Sequence, residues 1–322
     1  MPDIKIYVSR RINLKSIVVD NPLYIPVRCG AVFDTDDKSP YIGDDTGENI
    51  TEKRDSYCEF TVQYWAWKNV NADYYGLCHY RRYLCFSKRR FRAGAHGLVL
   101  CPLLDIGAMR RYGLLDEVAV RDAITKYDLV IPEGAPVSKM PLPKGRAGTV
   151  RKMWEAHEGI FFDRHTVDRL FELINRIAPE YRDSARNYFS GGEHFGYNCY
   201  VMRRELFSRL CGLQFPVMEA IERELPTDVS KKYPRTVAYV GEMLFGVFIY
   251  HVMTKEHWRV SSRQLVLFEE TEPSAGALER FRCYLVHYLD RIVWSITLRL
   301  FPLGSRRREV CKRLYRRITR HK

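Results

Sequence analysis

The sequence predicts an α/β fold that ends in an amphipathic, basic helical tail. Short runs of β-branched and aromatic residues, such as Ile4 to Val8 and Tyr74 to Cys78, alternate with segments of helical periodicity. A chain of 322 residues can bury one full α/β core and still carry an appendage. Residues 305–322 hold nine Lys or Arg against one Glu, which is +8 of the net charge of +13.

The segment from Gly43 to Tyr83 combines a turn, a helix, a strand and a basic loop. Asp44 to Gly47 predicts a turn, because Asp side chains bond nearby backbone amides and Gly tolerates positive φ. Ser56 and Glu59 have the spacing of a capping box, so we expect a helix to open there. Four residues recur with helical spacing and predict its buried face: Tyr57, Phe60, Thr61 and Tyr64.

Basic residues follow the next predicted strand. His79, Arg81 and Arg82 come at the C-terminal end of Tyr74 to Cys78, which is where ligands bind in open α/β sheets. An arginine fork binds phosphate oxygens in pairs and stays charged at any working pH. The diphosphate of a nucleotide-sugar donor becomes a charged leaving group that needs such cations or a metal. The alternative is that the arginines are solvated or pair with the acidic turn, and the residues alone leave both open.

This segment resembles the signature of a bacterial family of capsular and exopolysaccharide glycosyltransferases, long catalogued as a domain of unknown function. The family pattern runs close to DDTGDNIS, then YCELTALYWAWKN, then GLCHYRRY. The matching positions here are Asp44 to Gly47, Asn49, Ile50, Tyr57 to Glu59, Tyr64 to Asn69 and Gly76 to Tyr83. Weaker similarity extends over roughly residues 3–255. Family members usually have a His after the first strand, where this chain has Ser9-Arg10-Arg11.

The resemblance implies a GT-A-like, Rossmann-like nucleotide-sugar-binding domain. Its implied reaction moves a sugar from a nucleotide-diphosphate donor to a hydroxyl of a lipid-linked glycan, in capsule, exopolysaccharide or O-antigen synthesis. Some relatives resemble galactofuranosyltransferases, so UDP-galactofuranose with inversion is the expected donor. The expected donor-binding residues are Arg81, Arg82, His79, Asp44, Asp45, Thr46, Asn49 and Arg10.

The segment from Thr236 to Met253 is almost wholly apolar except for Glu242, which predicts a buried helix. A carboxylate there must be hydrogen-bonded, paired or raised in pKa, and such an environment suits a general base. The alternative is a structural ion pair with Arg235 or with the arginines after the predicted strand. In the inverting GT-A enzymes that the chain resembles, an acidic residue of the corresponding helix is the catalytic base, which favours Glu242. Further candidates are Glu193 and His194, which would contact the acceptor, and Asp183.

The residues allow two accounts of how the charge of the leaving group is neutralised, one with a metal and one without. GT-A enzymes commonly hold a divalent cation through an Asp-x-Asp motif, whereas the corresponding residues here, Cys78 to Arg81, contain no acid. Either the arginines replace the cation, or Asp44 and Asp45 supply the oxygen ligands that Mn²⁺ or Mg²⁺ prefers. We expect a metal-independent or weakly metal-stimulated enzyme.

The C-terminal region predicts attachment to a membrane surface. From Phe281 to Leu303, aromatic and aliphatic residues recur beside arginines, and no uncharged run approaches the length of a spanning helix. This pattern is typical of amphipathic helices on an anionic membrane surface. The alternative is a helix packed on the catalytic domain. We expect a glycosyltransferase domain over 1–260 and an anchor over 261–322.

The cysteines and the charge bear on compartment and partners. The nine Cys include no C-x-x-C pair, and residues 4–8 already predict a strand, so we expect reduced thiols in a cytoplasmic protein peripheral to the inner membrane face. Two other functional classes stay open: a non-catalytic binding module of a polysaccharide assembly, and a basic nucleic-acid-binding protein. No nucleic-acid partner is expected, because no recognisable RNA or DNA module accompanies the basic tail.

Overall fold

Strands and helices alternate along the chain, as the sequence predicts. The computed structural model describes residues 1–34, 39–143, 145–273, 276–301, 305–308 and 310, with only the backbone described at 294, 295 and 298. The strands are β1 (Ile4–Arg11), β2 (Tyr24–Cys29), β3 (Ile42–Gly43), β4 (Tyr74–His79), β5 (Arg82–Leu84), β6 (Leu98–Leu103), β7 (Leu129–Pro132), β8 (Ala135–Pro136), β9 (Glu193–His194), β10 (Tyr200–Arg203), β11 (Val260–Arg263) and β12 (Leu265–Glu270). The helices are α1 (Arg54–Tyr57), α2 (Phe60–Asn69), α3 (Ile106–Arg111), α4 (Glu117–Thr125), α5 (Val150–Glu155), α6 (Thr166–Ile177), α7 (Arg182–Ser190), α8 (Arg204–Glu224), α9 (Thr227–Lys232), α10 (Thr236–Lys255) and α11 (Ala277–Leu300).

A mixed, mostly parallel sheet forms the centre of the fold. Its strand order is β11-β7-β10-β4-β1-β2-β3, and β5, β12 and β6 branch from β4. The β1–β2, β1–β4, β2–β3, β7–β11 and β6–β12 pairs are parallel, whereas β10 runs antiparallel to both β4 and β7. These pairings confirm the predicted α/β class.

The register brings the C-terminal ends of three parallel strands together. Ser9 of β1 lies opposite His79 of β4, and Arg11 lies opposite Cys29 of β2. Because side chains alternate along a strand, Ser9 and Arg11 face one side of the sheet while Arg10 faces the other. The polar residues that follow these strands therefore gather at one edge.

Helices α2, α8 and α10 cover the face of the sheet on which the expected base lies. Helix α10 packs against α7 and α8, and most of its side chains belong to the larger apolar core. By length and composition alone it could cross a membrane, yet 72% of its apolar window is buried inside the protein. The prediction of a buried helix at this position is therefore confirmed.

The structure corrects the predicted start of the helix after the acidic turn. A 3-10 turn, Thr51–Lys53, leads directly into α1, so the backbone is already helical before Ser56, whose hydroxyl donates to the Lys53 carbonyl oxygen. The chain then breaks at Cys58, where φ is 53°, and α2 begins at Phe60. The buried face is largely as predicted, because Tyr57, Phe60 and Thr61 are fully buried and Tyr64 partly so.

The sheet continues beyond residue 260. Strand β11 pairs with β7, and β12 pairs with β5 and β6, so sheet-forming residues extend to Glu270. Helix α11 follows and contacts β6. Most of the basic tail, including 311–322, lies outside the described residues.

Candidate functional site

A cavity of about 470 Å³ opens at the C-terminal edge of β1, β2 and β4. This volume falls within the range of small-molecule sites. The strands contribute Ser9, Arg11, Cys29 and His79, and the remaining wall comes from the β4–β5 connection, α1, the residues before α2 and β10, and the start of α10. The predicted position of the site therefore coincides with a cavity in the structure.

Charge dominates the wall of this cavity. Its arginines are Arg11, Arg54, Arg81, Arg82 and Arg235, and its carboxylates are Asp55, Glu59 and Glu242. Five cations against three acids leave a surplus of positive charge, which favours an anionic ligand. Arginine forks suit phosphate oxygens in particular.

Local backbone geometry places Arg54 at the cavity. Gly30 has a φ of 74°, in the left-handed region that favours glycine. A Cβ atom at Gly30 would lie 2.1 Å from Cδ of Arg54, so any larger residue would displace that side chain. The glycine after β2 is thus needed for the arginine that opens α1.

Arg81 and Arg82 occupy the turn after β4 and the start of β5. The Arg82 Nη1 atom donates to the Tyr197 carbonyl oxygen at 3.1 Å, and its guanidinium lies 5.7 Å from the Tyr197 ring centre. The Arg81 guanidinium lies 5.5 Å from the ring centre of Tyr80. Its Nε atom is buried and has no hydrogen-bond partner among the described residues. A ligand anion in the cavity is therefore a candidate partner for the Arg81 guanidinium.

His79 lies on the same wall but carries no charge. Burial, followed by the nearby Arg82 and Arg81, holds the pKa of His79 well below its ordinary value. The Arg81 backbone N–H donates to His79 Nδ1 at 3.4 Å, which also requires an unprotonated Nδ1. His79 can therefore contact a donor by hydrogen bonding, but it does not add positive charge.

Glu242 lies in the second turn of α10 and lines the same cavity as the arginines. The Tyr197 backbone N–H donates to its Oε1 atom at 2.6 Å. Burial raises the pKa of Glu242 and Glu59 adds to the effect, whereas Arg82 and the Tyr197 amide oppose it. The result is a carboxylate with one oxygen fixed and a raised pKa, which suits proton abstraction.

The loop before β10 adopts a strained backbone to reach Glu242. Tyr197 and Asn198 have φ values of 75° and 44°, which are uncommon for residues other than glycine. A Cβ atom at Gly196 would lie 2.2 Å from the His194 ring and 3.2 Å from Glu242, so only glycine allows this approach. The strain turns the Tyr197 N–H onto the carboxylate.

The sequence did not identify Glu59, Asn198 or Arg235 as ligand-facing residues, although Arg235 was considered as a structural partner of Glu242. Asn198 Nδ2 donates to Glu59 Oε1 at 3.2 Å, and Arg235 Nε donates to the Cys58 sulfur at 3.1 Å. The spacing of Ser56 and Glu59 predicts a helix cap, yet Glu59 immediately precedes α2 and faces the cavity. The break at Cys58 causes this difference, and no sequence pattern indicates it.

The acidic turn lies outside the cavity wall. Asp44 is fully buried, and its carboxylate accepts hydrogen bonds from the backbone N–H groups of Gly30 and Ala31 and from the hydroxyls of Thr51 and Thr61. These partners occupy both oxygens. Asp44 therefore anchors the loop after β2, and the expectation that it binds the donor is replaced by a structural role.

The other residues of this turn form hydrogen bonds with the turn itself and with α2. The Trp65 Nε1–H donates to Thr46 Oγ1 at 2.9 Å, and Asn49 Nδ2 donates to the carbonyl oxygens of Asp45 and Gly47. Asp45 is exposed on the turn. None of these side chains lines the cavity, so their expected contact with the donor has no support in the geometry.

The reserve candidates for the base also lie outside the cavity wall. Glu193 is exposed on β9, and Asp183 is exposed on α7 within reach of Arg182 and Arg186. His194 is 5% exposed, and its Nδ1 atom lies 2.9 Å from the Tyr188 hydroxyl. Burial lowers the pKa of His194 to about 3, so it is neutral. These placements leave Glu242 as the predicted base that faces the arginines.

The acids of the turn do not fit a divalent cation. Asp44 would have to give up its hydrogen bonds to coordinate one, and Asp45 alone offers too few oxygen ligands. The described residues contain no group of three or more His, Cys, Asp or Glu side chains close enough to hold a metal ion. We therefore assign no metal to Asp44 and Asp45.

Replacing Asp44 by Asn is expected to lower the free energy of unfolding by about 3 kcal/mol, because charge-assisted hydrogen bonds inside the protein are lost. Chemical denaturation measures this loss. Asp45→Asn is the matched control, since its side chain is exposed, and should change stability by less than about 0.5 kcal/mol. Equal stability of the two variants would contradict the anchoring role of Asp44.

Comparisons with known proteins agree with the architecture. The family described as "Domain of unknown function (DUF4422)" matches residues 5–255. The apo structure of WbbM, a bifunctional glycosyltransferase, superposes with a TM-score of 0.73 at 24% identity, over 83% of this chain and 45% of WbbM. This chain thus spans less than half of the WbbM chain, and the likeness shows a shared fold. No curated protein matches the sequence. The expected family resemblance is confirmed at this level.

Proposed function

The chain belongs to the DUF4422 family, and from that premise we propose that it is a glycosyltransferase that uses a nucleotide-diphosphate sugar. One observation carries the proposal: Glu242, a carboxylate with a raised pKa, shares a cavity with five arginines. Sugar transfer from such a donor needs both a base for the acceptor and cations for the leaving group. The glycosyltransferase-like fold supports the same reaction class.

The reaction can be assigned to atoms of this site. Glu242 takes the proton of the acceptor hydroxyl through the carboxylate oxygen that Tyr197 does not bond, and the acceptor oxygen forms a bond to the anomeric carbon. The bond from that carbon to the diphosphate breaks, and the diphosphate leaves with the electron pair. Arg81 and Arg82 bind the developing negative charge. Attack opposite the leaving group inverts the anomeric configuration.

The proposed donor and acceptor follow from the family resemblance, and the proposed independence from metal follows from the charge of the cavity. The resemblance to galactofuranosyltransferases supports UDP-galactofuranose as the donor and a lipid-linked glycan as the acceptor. The surplus of arginines supports catalysis in which the protein itself neutralises the diphosphate. We expect the transfer rate to be insensitive to removal of divalent cations by a chelator.

A nucleotide screen tests the donor site directly. A ligand that binds only the folded state raises the melting temperature, so UDP, GDP, CMP and their sugars are compared with and without Mn²⁺. We expect one nucleotide class to stabilise the protein and Arg81→Ala to abolish that shift. Arg223→Ala removes an exposed arginine outside the cavity and should keep the full shift. An unchanged melting temperature with every nucleotide would contradict the donor site and favour a non-catalytic binding module.

We further propose that α11 lies in the surface of the cytoplasmic membrane, on its inner face. One side of the helix contacts the domain, where His287 Nδ1 lies 2.7 Å from Glu269. The opposite side is apolar and exposed. Its exposed fractions are 82% at Leu278, 45% at Leu285, 49% at Leu289, 41% at Ile292 and 51% at Ile296. The nine Lys or Arg of residues 305–322 provide charge complementary to anionic lipids.

Vesicle binding tests this placement. Replacing Leu285 and Leu289 together by Asp should weaken binding to vesicles that contain phosphatidylglycerol by roughly tenfold or more. The reason is that two leucine side chains that the proposal buries in the membrane are lost. Val118→Asp is the matched control, since Val118 is 70% exposed on α4. Co-sedimentation measures both. Unchanged binding of the α11 variant would contradict the membrane role of this face.

A further inference from the structure

A second cavity, of about 360 Å³, adjoins the first at the ends of β1 and β2. Arg11 lines both cavities. Arg10, which the sequence had grouped with the donor site, lines only the second one, because alternation along β1 points it to the other side of the sheet. The two cavities are therefore neighbours that share Arg11, while Ser9 of the same strand lines the first and Arg10 the second.

The wall of this second cavity holds buried polar atoms that have no hydrogen-bond partner in the described part of the chain. Arg10 is 7% exposed; its Nη2 atom donates to the Ser16 carbonyl oxygen at 2.7 Å, but its Nη1 atom has no partner among the described residues. The Ser16 hydroxyl, on a residue 5% exposed, likewise has none within the described chain. The Arg10 guanidinium carbon lies 4.3 Å from the ring centre of Tyr41. Unsatisfied buried donors of this kind are costly unless a ligand meets them.

The charge of the second cavity favours an anion. Its cations are Arg10, Arg11, Arg28 and Lys15, and Asp34 is its acid. Among the described residues, Arg28 and Asp34 form an ion pair at 2.9 Å, and Arg10, Arg11 and Lys15 are the other cations on the wall. An arginine fork, a lysine and a hydroxyl together match the oxygens of a phosphoryl group.

The position of the second cavity relates it to α11. The loop that contributes Lys15 and Ser16 is bonded to the segment that precedes the helix. Ile17 N donates to the Thr271 carbonyl oxygen at 2.7 Å, and Lys15 N donates to Glu272 Oε1 at 3.2 Å. Helix α11 begins a few residues later, at Ala277. A phosphate bound here would lie close to the start of the apolar helix and, through Arg11, beside the arginine cavity.

We propose that the second cavity binds the phosphoryl group of the acceptor's lipid carrier. The inference rests on the proposed function, in which the acceptor is lipid-linked. A carrier phosphate held beside the start of α11 would let its lipid chain enter the membrane while its sugar reaches Glu242 past Arg11. The donor diphosphate does not need this cavity, because Arg81, Arg82 and Arg235 already face the first one.

Binding measurements without donor separate this inference from the reaction. The probes are phosphatidylcholine vesicles with and without a small fraction of a polyprenyl diphosphate, and inorganic pyrophosphate in solution. Two variants are used, Lys15→Glu, which reverses an exposed charge, and Arg10→Lys, which keeps the charge but loses the fork. Lys126→Glu, on an exposed lysine outside both cavities, is the control.

We expect the polyprenyl diphosphate to increase vesicle binding, and Lys15→Glu to reduce that increase by roughly tenfold, as loss of a charged contact does. Arg10→Lys should reduce it as well, and the control should not. Inorganic pyrophosphate that binds equally well, with no gain from the lipid, would overturn the assignment to the carrier. A loss of nucleotide binding in Lys15→Glu equal to that in Arg81→Ala would make the cavity part of the donor site instead. Carrier binding that depends on Lys15 without any sugar transfer would uphold this site and refute the proposed function.

Discussion

Replacing Glu242 by Gln is expected to lower kcat by roughly two to four orders of magnitude, the usual contribution of a general base. The change is nearly isosteric, and the glutamine oxygen can still accept the Tyr197 N–H that Glu242 Oε1 accepts at 2.6 Å. The loop before β10 should therefore keep its position, and nucleotide binding should be retained. Initial transfer rates and nucleotide-induced thermal shifts on the same preparations measure the two effects separately.

The matched control for this variant is Glu193→Gln, which changes an exposed carboxylate outside the cavity wall in the same way. Its rate should stay within about twofold of the unmodified protein, as for most surface substitutions. A Glu242→Gln protein with full activity would exclude Glu242 as the base. Glu59 would then be the next carboxylate to replace, because it also faces the arginines.

The same role for Glu242 fixes the direction of the pH dependence. A base acts in its deprotonated form, so the transfer rate should rise as pH increases through the pKa of Glu242. Burial raises that pKa, which places the acidic limb above the range of an ordinary glutamate. Glu242→Gln should remove the limb from the residual rate. A limb of unchanged position in this variant would belong to another group.

The parts of the site that the sequence predicts are those that strand polarity determines. A buried strand followed by His79, Arg81 and Arg82 puts these residues at the edge where parallel strands end, and β4 does so beside β1. A lone carboxylate in an apolar helix, Glu242, has few options other than a partner or a cavity, and the structure provides both. In each case the local sequence pattern and the fold class together are enough to predict that the residue lies at the site.

The remaining parts depend on contacts between residues distant in sequence. Adjacent acids such as Asp44 and Asp45 suggest a ligand site, but Asp44 receives hydrogen bonds from Gly30 and Thr61, which no spacing rule connects to it. The break at Cys58 is likewise a backbone choice that tertiary contacts stabilise. Family signatures therefore mark both residues that hold the loops and residues that face the ligand, and the sequence alone does not separate them.

Arg10 shows a third reason why the sequence alone does not predict every residue of the site. Strand alternation requires that Ser9 and Arg11 face one side of the sheet and Arg10 the other, so Ser9 lines the first cavity while Arg10 lines only the second. Which side of the sheet carries the first cavity depends on where the helices pack, and the packing of the helices depends on the whole apolar core. The sequence grouped Arg10 with the donor residues, whereas the structure places it in the second cavity.

Arg82→Ala is expected to lower kcat/KM by roughly two orders of magnitude or more, because this side chain affects the site in three ways. It faces the cavity, where the proposed reaction needs a cation for the leaving group. It also donates to the Tyr197 carbonyl oxygen and lowers the pKa of Glu242. Loss of the cation removes stabilisation of the transition state, for which one donor is worth about a hundredfold or more. Steady-state kinetics across pH measure the combined effect.

The pH profile distinguishes this combined role from simple loss of a donor contact. Without Arg82 the pKa of Glu242 should rise further, so the acidic limb of the rate should move to higher pH. Arg81→Ala should weaken donor binding with a smaller displacement of the limb, because Arg82 is the cation that lowers the pKa of Glu242 most strongly. Arg82→Lys keeps a positive charge and should restore most of the limb position but not the planar contact with phosphate. Equal limb positions in the Arg82→Ala and Arg81→Ala proteins would show that Arg82 acts on the donor alone, and the coupling between the arginine cluster and the base would then be absent.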